Sequence, residues 1–516
     1  MSIPLIYQEE VAETVRVTRT QRIHHPYEDF ISYFCHLSKN LWNQAHHLIY
    51  GYYKKHGHVP SYEELDSILN KKSYYKDKGK YNPDFDNYHK LGATAQQILK
   101  VYIKEWVSYF KAKKDYFKNP DKDYTGIPRE PGYKKKDGEF ILIFTNEQIK
   151  FREKRDGNIW MTFPKKIDGK KSKLADLRIK LGNVNDFDPY LLNRLMWSKF
   201  DIVRIIPKGT GYWIEIVYDE EIIKDKEVLR KIHGLDEDII MSIDLGVENL
   251  AAITDNIGNR PIIIKTEILK ADNQWYNKRK AELQGIYDRQ KIGCFLKKDK
   301  NGNVQVYTDK SDKHIKYLVN KTGKKMNILT ENRNNSVMDD LHKVSRYLIE
   351  RALDIKSKTI AFVRNPLWKQ KVKMGRKNNQ NFVQIPHKKL IEMTRYKAEE
   401  YGIDIIDDTE EYTSKCSFPD SEDICFHSEY MGNRIHRGMF EASKGFKINS
   451  DINGSYNFLR KIAESIWKKN NKNTKFDYVS PKFDVFDIIE GVVDHGLVPK
   501  RLSISDLMTR NYQDLS

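Results

Sequence analysis

Two aspartates occupy places where enzymes position ligands for hard metal ions. Asp244 ends the apolar run DIIMSID and precedes a glycine-containing turn, and strand ends of this kind present chemistry in α/β folds. Asp451 lies near the start of a predicted helix, within INSDINGSYN. Taken singly, Asp244 is better explained as a solvated acid that ends a strand, and Asp451 is also explained as an acid that stabilises a helix dipole. In a strongly basic chain, the pair is also typical of the metal ligands of a two-metal phosphodiesterase, in which carboxylates hold two Mg²⁺ ions about 4 Å apart.

Basic residues are concentrated in one segment. Between Leu367 and Lys397 there are nine Lys or Arg and a single acid, Glu392. A solvated face mixes charges of both signs, whereas interleaved aromatic and amide side chains are typical of a groove that follows a phosphate backbone. The candidate nucleic-acid ligands in this segment are Trp368, Lys369, Gln370, Lys371, Arg376, Lys377, Asn379 and Gln380. A second candidate is the run Lys134, Lys135 and Lys136, for which a solubilising role is the alternative.

The composition bounds the class of protein. The chain has 516 residues, with 90 Lys and Arg against 72 Asp and Glu, a formal net charge of +18. Its length favours several domains, and 39% hydrophobic residues exclude a mostly disordered chain. There is no apolar stretch of membrane-spanning length and no signal-peptide pattern at Met1, so we expect a cytoplasmic protein with a polyanionic partner and no membrane association. Four dispersed cysteines do not form a disulfide framework.

The predicted elements change character along the chain. Alternating residues from Glu13 to Ile23 predict a strand, and helical spacing follows over Asp29–Gly57 and Gly92–Phe117. After a linker rich in proline and glycine, runs such as FDIVRIIP and GYWIEIVYDE predict the remaining strands of a small β-barrel that the helices interrupt.

From Glu237 onward, strands alternate with helices, as in an α/β domain. Two long charged helices are predicted over Leu269–Gln290 and Ser336–Lys356, with a polar connector at Lys297–Arg333. The tail from Asn471 has slightly more acids than bases, so we expect it to pack on the body of the protein through Phe483, Phe486, Ile488 and Ile489.

Four motifs together resemble the split RuvC nuclease domain of the transposon-encoded TnpB proteins and of the compact type V-F CRISPR effectors. They are DLGVENLAAIT around Asp244, NNQNFVQIPH from Asn378, YTSKCSF from Tyr412 and INSDINGSYN around Asp451. In the amino-terminal half, FKNP, PGYKKKDGEF and FTNEQI are similar to TnpB segments. The resemblance implies an RNA-guided DNA endonuclease that binds a guide RNA, reads a short flanking duplex motif and cleaves double-stranded target DNA with Mg²⁺.

The implied fold is an α/β multidomain protein, with a split RuvC (RNase H-like) nuclease domain and an amino-terminal β-barrel (wedge) domain interrupted by a helical recognition bundle. The expected segments are the first barrel strand (1–27), the helical recognition insertion (28–125), the rest of the barrel (126–236), the first part of RuvC (237–412), a target-nucleic-acid-binding insertion (413–447), the last part of RuvC (448–470) and the tail (471–516).

The chain departs from the family pattern at the third carboxylate. The family's fourth strand ends in a catalytic glutamate, whereas TIAFVRNPLWKQ has Arg364 and Asn365 there. Family members that lack this glutamate often carry an acid just before YTSK, and neighbouring strands lie about 4.8 Å apart, within reach of a glutamate. The predicted metal ligands are therefore Asp244, Glu410 and Asp451, with Asp408 and Glu411 as alternatives to Glu410. The alternative function is an RNA-guided repressor without nuclease activity.

A second departure concerns zinc. Many TnpB proteins carry paired CxxC motifs in the insertion, but this chain has only Cys416, Cys425 and His427, so no zinc site is expected. We expect Phe418, Phe426, Tyr430 and Phe440 to hold the insertion together. Its contacts to the target strand are assigned to Arg434, Arg437 and Lys444. The resemblance is compatible with a monomer and with a homodimer on one guide RNA.

Overall fold

The computed structural model describes most of the chain in two compact units. The described residues are 14–70, 87–119, 126–163, 166–167, 170–171, 178–187, 189–291, 294–298, 304–308, 313–364, 385–409, 411–436, 438–470 and 499–508. One unit is Arg16–Glu221, and the other comprises Met1–Val15 and Ile222–Ser516. Among the described helices, none is long and apolar enough to cross a membrane.

Helices of the unit Arg16–Glu221 pack around buried aromatic side chains. Its helices are α1 (Asp29–His56), α2 (Tyr62–Asn70), α3 (Asn87–Leu91), α4 (Ala93–Lys118) and α5 (Pro189–Met196). Trp42 of α1 is fully buried and its ring meets that of Tyr102 of α4 edge to face, with centroids 4.6 Å apart. The Tyr102 hydroxyl accepts a hydrogen bond from Trp106 Nε1 at 2.9 Å, so the polar atoms of this core are paired.

Strands of this unit hydrogen-bond in separate sheets. They are β1 (Thr14–Pro26), β2 (Leu142–Thr145), β3 (Lys150–Glu153), β4 (Asn158–Thr162), β5 (Lys166–Ile167), β6 (Lys170–Lys171), β7 (Arg178–Asn183), β8 (Ile202–Lys208) and β9 (Gly211–Ile223). The sheets have the orders β1-β9-β8-β2, β3-β4-β7 and β5-β6. The helices α1 to α4 therefore interrupt a sheet after its first strand, but no pairing among the described strands closes them into one barrel.

The second unit is built on a mixed six-stranded sheet of order β16-β15-β10-β11-β12-β20. The strands of the whole unit, within this sheet and outside it, are β10 (Asp236–Leu245), β11 (Asn249–Asp255), β12 (Ile262–Lys265), β13 (Cys294–Lys298), β14 (Val304–Thr308), β15 (Ser357–Arg364), β16 (Asp404–Thr409), β17 (Asn433–His436), β18 (Met439–Glu441), β19 (Lys447–Asn449) and β20 (Lys500–Leu502). Its helices are α6 (Lys226–His233), α7 (Glu267–Lys291), α8 (Lys313–Asp354), α9 (His387–Glu399) and α10 (Ser450–Asn470).

Alternation along β10 separates the two faces of this sheet. Met241, Ile243 and Leu245 belong to the core shared with α8 and α9, whereas Ile240 packs in the core that contains Ile452 and Tyr456 of α10. Even-numbered positions near the end of β10 therefore face α10.

One prediction about the periphery of this unit is wrong, and another is tested only in part. The helix predicted over Ser336–Lys356 begins at Lys313, because the polar residues before Ser336 extend it as a solvated helix packed on α7. The tail contributes a strand, β20, which pairs in parallel with β12 and is followed by the buried Ile504. Phe483, Phe486, Ile488 and Ile489 lie outside the described residues.

Candidate active site

Asp244 lies at the end of β10 on the face that α10 covers. Two residues earlier in the same strand, the buried Ser242 hydroxyl donates to the Ser455 carbonyl of α10 at 3.0 Å. Strand pairing aligns Ile243 with Phe362 and Phe362 with Asp407, so Asp244, Val363 and Asp408 form the next row across three parallel strands. The strand-end position predicted for Asp244 is therefore present, and its carboxylate faces a helix rather than open solvent.

Asp451 lies in the first turn of α10, close to Asp244. Asn449 caps the helix, since its Oδ1 accepts hydrogen bonds from the backbone N–H groups of Asp451 at 2.9 Å and Ile452 at 3.3 Å. One turn further on, a Cβ atom built on Gly454 would come within 3.3 Å of Asp244 Oδ2. Residues three apart share a helix face, so Asp451 lies on the same side of α10 as the glycine that contacts Asp244.

Buried hydroxyl groups fix the position of α10 on the sheet. Ser455 Oγ lies 2.9 Å from Thr254 Oγ1 of β11 and 3.3 Å from Ser242 Oγ of β10, and it donates to the Ala252 carbonyl at 3.2 Å. Ser242 and Ser455 are fully buried, and their small size lets the helix approach the backbone closely. Because a satisfied buried network tolerates little displacement, the spacing between Asp244 and Asp451 is well defined.

The two asparagines that follow Asp451 on α10 hold the segment after β16. Asn453 Oδ1 accepts from the Phe418 backbone N–H and its Nδ2 donates to the Cys416 carbonyl, both at 2.9 Å. Asn457 Nδ2 donates to the carbonyls of Thr413 at 3.0 Å and Cys416 at 2.7 Å. These two asparagines are therefore structural, and they tie YTSKCSF to the helix that carries Asp451.

The third carboxylate is predicted to follow β16. The described strand ends at Thr409, so Glu410 lies outside the described residues. Asp408 Oδ2 is 3.6 Å from Lys461 Nζ and Asp408 Oδ1 accepts from the Thr409 backbone N–H at 2.7 Å, while Glu411 is exposed. Without Glu410, no group of three Asp, Glu, His or Cys side chains in the described part of the chain is arranged to bind a metal.

Two oxygen-rich side chains at a packed helix–strand junction fit a hard divalent cation, which prefers carboxylate ligands. Asp244 and Asp451 supply hard oxygen donors, and the glycine at position 454 leaves space beside Asp244 Oδ2 that a side chain would fill. The donor set and the space beside it are therefore compatible with Mg²⁺.

Both carboxylate-bearing regions match known protein families. Residues 236–363 match the OrfB_IS605 family, described as a probable transposase, and residues 387–458 match the Cas12f1-like TNB domain. The TnpB-like protein ORF457 of Acidianus two-tailed virus is 22% identical over 421 residues, which span 77% of this chain and 79% of the viral protein. The chain is related to the TnpB and type V-F proteins. The first matched region contains Asp244, and the second contains positions 410 and 451.

Solved structures of type V proteins are also similar to this TnpB-related chain. One is a Cas12f1-sgRNA-target DNA complex, with a TM-score of 0.45, 14% identity and coverage of 86% of this chain and 98% of that one. Another is CasPhi-2 (Cas12j) bound to crRNA, with a TM-score of 0.39, 11% identity and coverage of 87% and 98%.

In this TnpB relative, a buried glutamate organises the insertion between β16 and α10. Glu422 accepts hydrogen bonds from the backbone N–H groups of Ser417 at 2.7 Å and Met431 at 2.9 Å. Phe418 and Phe440 are buried as predicted, but the prediction for Phe426 is wrong, since its side chain is 70% exposed. Backbone hydrogen bonds to Glu422 hold this loop, so it does not require an aromatic anchor at position 426.

The sulfur atoms of the insertion have different environments. Cys416 is buried, burial raises the pKa of its thiol, and Sγ donates to the Cys425 carbonyl at 3.7 Å. Cys425 is exposed, and its Sγ lies 3.4 Å from His427 Nε2, which is also 2.8 Å from the Asp423 carbonyl. A protonated Cys416 thiol closes the turn that Asn453 and Asn457 hold.

Only part of the predicted nucleic-acid surface is described. Trp368, Lys369, Gln370, Lys371, Arg376, Lys377, Asn379, Gln380 and Arg437 lie outside the described residues, whereas Arg434 is exposed on β17. Two basic residues of the 367–397 segment have packing roles instead. Arg395 pairs with Asp407 at 2.7 Å, and Lys397 Nζ donates to the His342 carbonyl at 2.9 Å. Burial, followed by the nearby Arg346, lowers the pKa of Lys397 to about 8.

The run Lys134, Lys135 and Lys136 is docked on α1. Asn43 accepts from the Lys134 backbone N–H at 2.8 Å and donates to its carbonyl at 3.1 Å. The Lys134 ammonium lies over the Trp42 ring, 4.2 Å from its centroid, whereas the side chains of Lys135 and Lys136 are exposed. The last two lysines therefore present their charge to solvent from a fixed backbone.

Replacing both exposed lysines should make nucleic-acid binding less sensitive to salt. Each lost phosphate contact reduces the slope of log K against log salt by about 0.9, so Lys135→Ala with Lys136→Ala should make it shallower by about 2. Binding titrations between low and physiological salt measure the slope. Lys134→Ala is the control, and it should lower thermal stability because the cation–π contact of Lys134 is lost. An unchanged slope in the double variant would show that these lysines only face solvent.

Proposed function

We propose that this chain is an RNA-guided DNA endonuclease. It binds a guide RNA, reads a short flanking duplex motif and hydrolyses target DNA at a RuvC-type site formed by Asp244, Glu410 and Asp451. The observation that carries the proposal is the packing of Gly454 of α10 against the Asp244 carboxylate, which supports a shared site for Asp244 and Asp451 within two regions that match the OrfB_IS605 and Cas12f1-like TNB families.

The chain's own residues supply the binding and the orientation. Asp244 and Asp451 provide negative oxygen ligands for two Mg²⁺ ions, and the Ser242, Thr254 and Ser455 hydroxyl groups keep the two carboxylates at a constant spacing. When bound, the metal ions activate a water molecule and stabilise the leaving oxygen of the phosphodiester. The exposed lysines at positions 135 and 136 are proposed to contact phosphates.

The surroundings of Asp408 and Glu411 favour Glu410 as the third ligand. Asp408 is close to Lys461, which offsets its charge, and one of its oxygens caps its own strand end. It also lies two strand spacings from Asp244, about 10 Å, which is far for a short side chain. Glu410 follows Thr409 in the sequence and has a longer side chain than Asp408, so we assign it the role of the carboxylate that is absent from the end of β15.

The second candidate function is guided DNA binding without cleavage. It is favoured by the end of β15, where Val363 and Arg364 take the place of an acid. A protein that only binds DNA does not need the two acids Asp244 and Asp451 at this strand–helix junction. Their presence there is the reason why we place the endonuclease first.

One cleavage experiment distinguishes these functions and identifies the third ligand. The protein is purified with its co-purifying RNA, and supercoiled DNA that carries the matching target is added with Mg²⁺. We expect target-dependent cleavage by the wild type and by Asp408→Asn, and a large loss in Glu410→Ala, because only the last change removes a proposed metal ligand. Tight guided binding without cleavage by the wild type would establish the repressor instead. Full cleavage by Glu410→Ala would refute the assignment of Glu410.

A further inference from the structure

An asparagine at the start of β11 contacts the Asp451 carboxylate directly. Asn249 Nδ2 donates a hydrogen bond to Asp451 Oδ2 at 2.6 Å, and both side chains are partly buried. Asn249 lies on the strand that follows Asp244, so the β10–β11 hairpin carries one candidate metal ligand and contacts the other.

The backbone around Asn249 is held from several sides. The buried Thr266 hydroxyl lies 2.7 Å from the carbonyls of both Val247 and Glu248, and the Glu248 carboxylate pairs with Lys270 at 2.5 Å. The pairing of β11 with β12 shifts register between Asn249 and Ala251, and irregularities of this kind redirect a side chain. Asn249 therefore reaches Asp451 from a fixed position.

The chemistry of this contact suits a metal ligand. A carboxylate has about four lone-pair positions on two oxygens, so one amide donor orients the group and leaves the others available. The amide is neutral and does not offset the negative charge, in contrast to Lys461, which lies 3.6 Å from Asp408. Hydrogen bonds that orient ligands in this way contribute about 10- to 100-fold to metal affinity.

We propose that Asn249 is a positioning residue that orients the Asp451 carboxylate for binding a divalent cation. This inference rests on the proposed function, because it assigns Asn249 a role toward the proposed metal site. The β10–β11 hairpin would then both carry the ligand Asp244 and orient the ligand Asp451 through Asn249.

The test compares asparagine–aspartate pairs at the two ends of β11. Asn249→Ala removes the donor to Asp451, and Asn249→Leu removes it while filling the space. Asn259→Ala is the matched control, because Asn259 Nδ2 donates to Asp255 Oδ2 at 3.0 Å at the other end of the strand. Binding of Mn²⁺ to the full chain is titrated by electron paramagnetic resonance, with thermal melting to verify folding and Asp451→Asn to identify the site.

We expect both Asn249 variants to bind Mn²⁺ about 10- to 100-fold more weakly and Asn259→Ala to bind it as the wild type does. Wild-type affinity in a folded Asn249→Leu variant would overturn the role of Asn249 while leaving the proposed function intact. If the wild type showed no Mn²⁺ binding sensitive to Asp451→Asn, the metal site of the proposed function would fail, and the role of Asn249 would fail with it.

Discussion

Asp244→Ala is expected to slow target cleavage at least about a thousandfold while guide RNA and target DNA remain bound. The substitution removes a proposed metal ligand, and metal ions supply several kcal/mol of charge stabilisation in phosphodiester hydrolysis. A loss of about 4 kcal/mol corresponds to a factor of about 10³ in rate. The fold should persist, because the Ser242 and Ile243 contacts that hold β10 to its neighbours do not involve the carboxylate.

Single-turnover cleavage at saturating Mg²⁺ measures this loss, and mobility-shift titrations measure binding. Asp238→Ala is the matched control, since it removes an exposed acid from the opposite end of the same strand. The control should cleave at the wild-type rate. Substantial cleavage by Asp244→Ala, or a joint loss of cleavage and DNA binding, would contradict the assignment of Asp244 as a metal ligand.

Local patterns predicted the elements that carry the candidate site. The apolar run before Asp244 and the helix that begins near Asp451 are present, because hydrophobic alternation and helix capping depend on nearby residues. That the two acids belong to one site was predicted from the family motifs and not from periodicity. It requires the packing of α10 on β10, which a single sequence pattern does not encode.

Predictions that depended on distant packing were less successful. The pairing of β20 with β12 joins segments more than 200 residues apart in the chain, and three tail residues are too few to show a strand pattern. Phe426 has the apolar character of an anchor, but the hydrogen bonds of Glu422 stabilise its loop. Hydrophobicity alone does not distinguish these cases.

Two site residues were within quoted motifs but had no assigned role. Asn249 lies in DLGVENLAAIT, where its contact with Asp451 depends on a register shift that cannot be recognised from sequence. Gly454 lies in INSDINGSYN and could have been recognised from the sequence. A glycine inside a predicted helix lowers the stability of that helix and suggests close packing. Its neighbour in space is Asp244 Oδ2.

Gly454→Ala should lower cleavage measurably, by less than about a hundredfold, without lowering stability. Alanine favours the helix by up to about 1 kcal/mol relative to glycine, so the change helps α10 locally. Its Cβ, however, would lie 3.3 Å from Asp244 Oδ2 and would displace a carboxylate whose position determines the reaction geometry. The carboxylate has to shift by a few tenths of an ångström, and because a misplacement of about 1 Å costs about 10²-fold in rate, the loss should stay below that value.

Gly285→Ala in α7 is the matched control, because a Cβ there meets nothing within 4 Å. Chemical unfolding should show equal or greater stability for both variants, and cleavage assays should show a loss only at position 454. Activity should fall while stability is kept, because the group that the new Cβ displaces is the Asp244 carboxylate. A Gly454→Ala variant that cleaves at the wild-type rate would show that the approach of α10 does not control the position of Asp244.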